Sequence, residues 1–212
     1  MKKYIFSALA LLFAATSCDG ISQNSSNDYP NEVIEAIMTR RSVRSYNDEP
    51  IADEIMDKIL ECGIHAPNGM NAQRWEVRVV KSQEWIKDAT EAWKNSMPAD
   101  SPMAKQFEDP SFKNMFRNAT SVVFIAHRPG PCSQIDCGLM AGNMMLAAKS
   151  FGISSVCMMG PIGFFSTEAG KPFRETLALP DGYELLICVG LGYSDETPET
   201  PERHYSKVKY VK

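Results

Sequence analysis

Val33, Ile34, Ile37 and Met38 share one face of a 3.6-residue repeat and predict a short helix ending near Arg40. Residues 51–64 repeat the pattern, with Ile55, Ile59, Leu60 and Ile64 facing inward, and residues 82–93 read as a further helix. Trp75, Val77 and Val79 alternate with Glu76 and Arg78, which predicts a strand with one polar face. The unbroken apolar run 122–126 predicts a buried strand, and 153–159 and 185–193 predict two more. Residues 95–109, interrupted by Pro98 and Pro102, read as a broken connection, and 112–116 as a short helix. Residues 136–151 are small and apolar almost all round, from Gly138 and Leu139 to Ala147 and Ala148, with Gly152 as the C-cap. A helix apolar on every side is buried on every side, and a chain this short has difficulty burying it alone. A subunit interface is its natural partner. The last residues alternate in β fashion and form an extended arm with little to pair with in its own subunit.

The first thirty residues follow a different pattern. Lys2 and Lys3 precede an apolar run, residues 5–15, too short to span a bilayer. It ends in Ala15, Thr16, Ser17 and Cys18, the form of a bacterial lipoprotein signal in which Cys18 is lipidated. An ordinary secretory signal or a core helix with an incidental cysteine are the plainer readings. Residues 18–29 are small and polar and read as a flexible tether. The expectation is therefore a signal peptide over 1–17, a tether over 18–29 and one folded domain over 30–212, exported and held on the membrane at its periplasmic or cell-surface face.

Charge narrows the partners. The chain of 212 residues carries a net charge of −4, which falls to −6 once residues 1–17 and their two lysines are removed. Nucleic acid is thereby excluded as a partner. Cys62, Cys157 and Cys188 fall in helical or strand patterns and read as core, while Cys132 and Cys137 could pair in an oxidising compartment. No Cys/His spacing predicts a metal site, and His65, His127 and His204 are too scattered to suggest a thiol nucleophile.

The chemistry concentrates where the first helix ends. Arg40, Arg41, Ser42 and Arg44 lie on backbone leaving a helix. In an extended segment Arg40, Ser42 and Arg44 share a side and can converge on one anion, because guanidinium forks bind phosphate oxygens bidentately and a serine hydroxyl adds a donor. Cations at a helix C-terminus also complement its dipole, and the segment alone leaves both readings open. A second segment, Pro67, Asn68, Gly69, Met70 and Asn71, leads through Gln73 into the strand at Trp75.

Together these segments resemble the FMN-dependent nitroreductase family. Its N-terminal signature is a helix ending in Arg-Arg-Ser-x-Arg, followed after a second helix by Pro-Ser-x-x-Asn-x-Gln-Pro-Trp. Here Pro67, Asn71, Gln73 and Trp75 match, with Asn68 in place of the serine and Arg74 in place of the second proline. The family presents a Gly-Pro-x-x-Gly-like turn to the flavin, which Gly160, Pro161, Ile162 and Gly163 resemble without the glutamate many members carry. Taken alone, that turn is an ordinary strand end, or a backbone that approaches a planar ring closely. Arg203 matches the family's late phosphate-binding basic residue. Gly190 and Gly192 end the last strand with no helix after them, so they form no dinucleotide fingerprint.

The resemblance implies an α+β fold, a central and mostly antiparallel sheet flanked by helices, in a domain-swapped homodimer. FMN would bind at the interface, its phosphate against Arg40, Arg41, Ser42, Arg44 and Arg203. Its ring would meet Pro161, Ile162 and Gly163 of one subunit and Pro67, Asn68, Gly69, Met70 and Asn71 of the other. NAD(P)H would pass hydride to the flavin, leave, and be replaced by a nitroaromatic or quinone, with no catalytic side chain required. A specialised flavin reaction such as reductive dehalogenation, a lipid-anchored flavin sensor without turnover, and a binder of some other phosphate ligand remain as alternatives. An exported protein meets little NAD(P)H, which leaves a different donor, FMN loading after export, or another reading of the N-terminus.

Overall fold

The computed structural model describes residues 31–98, 100–101 and 104–212. The signal-like segment, Cys18 and the tether lie outside the described residues. Four strands, β1 (Trp75–Val80), β2 (Ser121–His127), β3 (Ser154–Met158) and β4 (Glu184–Gly192), form one sheet in the order β1-β2-β4-β3, every neighbouring pair antiparallel. The helices are α1 (Glu32–Thr39), α2 (Asp53–Ile64), α3 (Gln83–Ser96), α4 (Ser133–Ser150) and α5 (Lys171–Thr176). No helix among the described residues is long and apolar enough to cross a membrane.

Strand alternation divides the core into two layers. Val123, Ile125, Ile187, Val189 and Leu191 point to one face of the sheet and pack with Met56 and Ile59 of α2 and Met140 and Met144 of α4. Val122, Phe124, Cys188, Val156 and Met158 point to the other and pack with Ile86 and Ala89 of α3, Phe116, Phe164 and Phe165. All seven residues of β2 are buried, as its apolar run predicts. On the second face Trp85 stacks on Phe165 with ring centroids 6.1 Å apart and meets Phe124 edge-on. Contact between α2 and α4 is close enough that a Cβ at Gly63 would lie 2.5 Å from Met144 Cγ, so only glycine fits there.

Several expectations are corrected. Residues 112–116 are not helical: 112–114 carry no regular structure and 115–118 form a turn, built around the Asn118 side chain, which accepts the N–H groups of Lys113 and Asn114 and donates to Ser111 O. The helix expected over 51–64 begins at Asp53, and Ile51 is buried just ahead of it. Ile64, expected inside, is exposed in the last turn of α2, away from the Met56, Ile59 and Gly63 stripe that meets α4. Val79, expected inward, is exposed on the edge strand β1. Cys62 and Cys157 are exposed, not core: Cys62 lies off the buried stripe of α2, and Cys157 alternates with buried Val156 and Met158 to the open face of edge strand β3. Cys188 is buried as expected, and Cys132 and Cys137 are both free thiols.

The helix α4 starts three residues before the predicted position and is not buried all round within this subunit. Asp136, Cys137, Met140, Ala141, Met144 and Ala148 are buried, whereas Ile135 is 66% exposed and Leu139 44%. Val33, Ile34, Ile37 and Met38, the apolar face of α1, are also exposed.

Candidate functional site

The helix α1 opens with Asn31, whose side chain accepts the Ile34 N–H at 3.0 Å, and closes at Arg40. The next residues run extended along the sheet edge. Val43 donates to Ser155 O at 3.1 Å, Ser42 bridges Ser155, and Asn47 donates to Tyr193 O at 3.0 Å. Tyr46, fully buried, anchors the segment by donating its hydroxyl to Val43 O at 2.6 Å; burial first, then the nearby Glu196 carboxylate, push its ionisation well above the usual tyrosine range, so it stays a neutral donor.

This pairing spreads the arginines along a path. Arg40 and Arg41, with Lys149 and Ser155, line a cavity of about 340 Å³. Arg44 lines a second cavity of about 270 Å³ together with Gly160, Pro161 and Asn118. Ser42 lies between them in sequence, on the strand edge. Arg41 is committed to the protein, since its guanidinium donates to Met38 O at 2.8 Å, Arg40 O at 2.9 Å and Thr200 Oγ1 at 2.6 Å. Arg44 spends one donor on Ser42 O at 3.1 Å, while its main-chain N–H goes to the Glu196 carboxylate. Among the described residues, neither Arg40 nor Arg44 pairs with a carboxylate through its guanidinium.

Two observations show room for a ligand along this path. Ser155 Oγ, in the Arg40 cavity, is the buried side-chain polar atom among the described residues without a hydrogen-bond partner. A buried hydroxyl is costly to leave unpaired, and a phosphate oxygen would satisfy it. At the other end, Gly160 opens a 3₁₀ turn, Gly160–Ser166, Gly163 lies within it, and a Cβ built on either meets nothing within 4 Å. The protein's own packing does not require glycine at either position, so the bare backbone is open to close approach from outside. The Ile162 N–H is taken by Met159 O at 3.0 Å.

The segment 67–71 lines neither cavity within this subunit. It is a tight turn in which Met70, Asn71 and Gln73 all hold left-handed backbone, with φ of 56°, 52° and 46°. Such conformations are strained for residues with side chains and need local support. Asn68 supplies part of it, accepting the Gln73 N–H at 3.1 Å, and Gln73 donates to Asn71 Oδ1 at 3.3 Å. The rest comes from a residue that sequence reasoning missed. Asp136, buried in the first turn of α4, accepts the Gly69 N–H at 3.0 Å. Burial, and then the neighbouring Asp136, push the Cys137 thiol up to about 11.

Replacing Asp136 by alanine leaves the Gly69 N–H unpaired, a loss of about 1–3 kcal/mol. The expected result is a melting temperature lower by about 3–10 °C. Asp136→Asn, which keeps an acceptor, should recover most of it. Thermal unfolding of both variants checks this; an alanine variant as stable as the parent would show that the tie contributes nothing.

Arg203 is exposed, donates among the described residues only to Glu202 O at 3.4 Å, and borders neither cavity. The tail from residue 199 onward is exposed throughout, apolar Tyr205, Val208, Tyr210 and Val211 included. Besides Asp136, the residues that the sequence did not single out are Ser155, Asn118 and Glu196. Asn118 joins the Arg44 segment to the 111–118 turns, and Glu196 holds the Arg44 N–H. The chain near Glu196 returns to this edge through the bonds from Asn47 N–H to Tyr193 O and from Asp195 N–H to Ser45 O.

Comparison with known proteins bears on this arrangement. The sequence model of the nitroreductase family matches residues 37–193. The FMN reductase [NAD(P)H] of Bacillus subtilis is 34% identical over 187 residues, covering 81% of this chain and 70% of its own. Among solved structures, a nitroreductase with bound FMN from Desulfitobacterium hafniense superposes with a TM-score of 0.76 at 29% identity, over 86% of this chain and 99% of that one. A nitroreductase with bound FMN from Bacteroides fragilis gives 0.75 at 26% identity, over 86% and 100%.

Proposed function

The chain belongs to the nitroreductase family, and on that premise we propose that it is an FMN-dependent oxidoreductase, passing electrons from a reduced nicotinamide to nitroaromatics, quinones or similar small acceptors. The observation that carries this reading is the path from Arg40 through Ser42 and Arg44 to Gly160 and Gly163. A cavity lined by Arg40, Arg41 and Lys149, with Glu196 also on its lining and tied to the Arg44 N–H, and with an unpaired buried hydroxyl, stands at one end, and open glycine backbone at the other. That is the shape and chemistry of a ligand with a phosphate at one end and a planar ring at the other. When bound, the flavin supplies the hydride chemistry, and the protein supplies binding, orientation and electrostatics.

The residues divide that work. Arg40 and Ser155 line the cavity that would take the phosphate, with Arg41 fixing the local backbone and Ser42, on neither cavity's lining, pairing with Ser155. Arg44 is placed where the ligand passes toward the turn, and Pro161, Ile162 and Gly163 offer their backbone to one face of the ring. The segment 67–71 and Arg203 do not reach this path in their own subunit, so they would serve the site of a second copy. The exposed apolar faces of α1 and α4 and the exposed tail support a two-fold dimer in which they are covered.

The test is the visible spectrum of the purified protein. Flavin bands should be present or return on incubation with FMN, bleach on addition of NADPH without oxygen, and recover on addition of a nitroaromatic. Protein that stays colourless with excess FMN would refute the cofactor. Flavin that bleaches but is not reoxidised by any nitroaromatic or quinone would refute turnover.

A further inference from the structure

We propose that Cys132 is a reactive thiol that takes small anionic disulfides as mixed disulfides, in a cavity between the end of β2 and the start of α4. The inference does not rest on the flavin reading. The cavity measures about 260 Å³, and Cys132, Ser133 and Gln134 line it together with His127. None of these four residues borders the Arg40 cavity or the Gly160 cavity. Cys132 is exposed and is a free thiol. In the sequence no pattern relates it to a histidine; the fold sets His127 on the same cavity.

His127 is the observation that points to a ligand. It is only 5% exposed, at the last position of β2. Its Nδ1 lies 2.9 Å from Ser133 Oγ, and that hydroxyl gives its own proton to Gly130 O at 2.9 Å. Nδ1 is therefore the donor, which leaves the lone pair of the neutral ring on Nε2. Among the described residues nothing bonds Nε2, yet it is not sealed from solvent as Ser155 Oγ is. Nε2 thus opens on the cavity as a base in a fixed tautomer, on the same lining as a free thiol.

The charge at this cavity sets the class of disulfide. The helix α4 is 18 residues long, and Cys132 is its N-cap, with left-handed backbone (φ 65°) and no side-chain capping bond. The N–H groups of Gln134 and Ile135 find no acceptor among the described residues. The partial positive charge of such a helix start attracts anions. Arg74 adds a full charge, its guanidinium lying over Gly130 on the lining, where a Cβ would come within 3.1 Å of Nη1. No carboxylate shares the lining, and Asp136, the acid of the first helical turn, is turned onto the Gly69 N–H. Gly69 also closes the other side of the thiol, since a Cβ there would lie 3.2 Å from Cys132 Cβ and 3.7 Å from its Sγ. A group added to the sulfur therefore grows into the cavity.

In the exchange, the Cys132 sulfur attacks one sulfur of the incoming disulfide. A new S–S bond forms and the old one breaks. The departing half leaves as a thiolate and takes up the proton that Cys132 gave to His127 Nε2. One disulfide is consumed and one is formed, so no further oxidant is needed.

Three small disulfides of matched length test this on the purified full-length protein: anionic dithiodipropionate, neutral hydroxyethyl disulfide and cationic cystamine. Peptide mass spectrometry reads the rate at each cysteine, with the exposed Cys62 and Cys157 as internal references. With dithiodipropionate, Cys132 should react about tenfold or more faster than either reference. Its rate relative to Cys62 should fall by about tenfold from dithiodipropionate to cystamine, with hydroxyethyl disulfide between them. His127→Gln should slow Cys132 by about tenfold or more and leave Cys62 unchanged. Should that variant fold poorly, the wild-type comparison decides, because it needs no substitution. Equal rates at the three thiols, no dependence on the charge of the probe, or an unchanged Cys132 rate in folded His127→Gln overturns the site. Neither flavin content nor turnover enters these readings, so failure of the proposed function leaves them intact.

Discussion

Replacing Arg40 and Arg44 together by alanine is expected to give a folded, colourless protein. Charge-assisted hydrogen bonds contribute about 1.5–3 kcal/mol each, so the pair accounts for roughly a 10²- to 10⁴-fold loss of flavin affinity. The two guanidiniums line different cavities, so their effects should nearly add. Folding should survive because, apart from the exposed Arg44 guanidinium bond to Ser42 O, the structural bonds at both positions are main-chain bonds that alanine retains. The Arg40 N–H caps α1 on Ala36 O at 3.0 Å, the Arg44 N–H goes to Glu196, and Arg44 O accepts Asn118. The flavin-to-protein absorbance ratio after desalting, beside the far-ultraviolet circular dichroism, measures both halves of the expectation. Wild-type flavin content in the double variant would take both arginines out of the site.

Removal of residues 201–212 is expected to convert a dimer into a monomer that retains little flavin. The cut spares Thr200 and hence its bond to Arg41, so the local structure of the arginine segment is unaffected. What is lost is Arg203 and an arm carrying Tyr205, Val208, Tyr210 and Val211, which are 72%, 51%, 81% and 98% exposed in the single subunit. Burying these side chains on a partner is worth about 1.5–3 kcal/mol for each that is fully covered. Their removal should therefore raise the dimer dissociation constant by about a hundredfold or more. Sedimentation at micromolar concentration reads the oligomer, and absorbance reads the flavin. A full-length protein that sediments as a monomer with flavin bound would exclude the dimer.

The parts of this architecture that were legible beforehand are those in which neighbouring residues decide the outcome. The apolar run of β2 could only be a buried central strand, and Ser82 ahead of α3 and Gly152 after α4 mark helix ends through chemistry confined to one turn. The arginine segment was legible as extended backbone leaving a helix for the same reason. That Arg40 and Arg44 line different cavities, where the alternation suggested convergence on one anion, was not, because which arginine meets which cavity depends on Ser42 and Val43 pairing with Ser155, a residue more than a hundred positions away. In place of the short helix expected at 112–116 stands a turn built around the Asn118 side chain, a local arrangement that the helical pattern did not disclose.

The sequence by itself determined the sheet strands, the main helices and the residue types available for a phosphate and a ring, since periodicity and side-chain chemistry are properties of the chain at short range. Only the tertiary structure decided the rest. It set Asp136 under Gly69 across 67 residues of sequence. It left Ser155 Oγ unpaired beside Arg40, and it kept the α1 face and the tail in solvent. The physical reason is common to all of these. A hydrogen bond or a buried surface between distant segments forms when the packed core brings them together, and no local pattern encodes that distance.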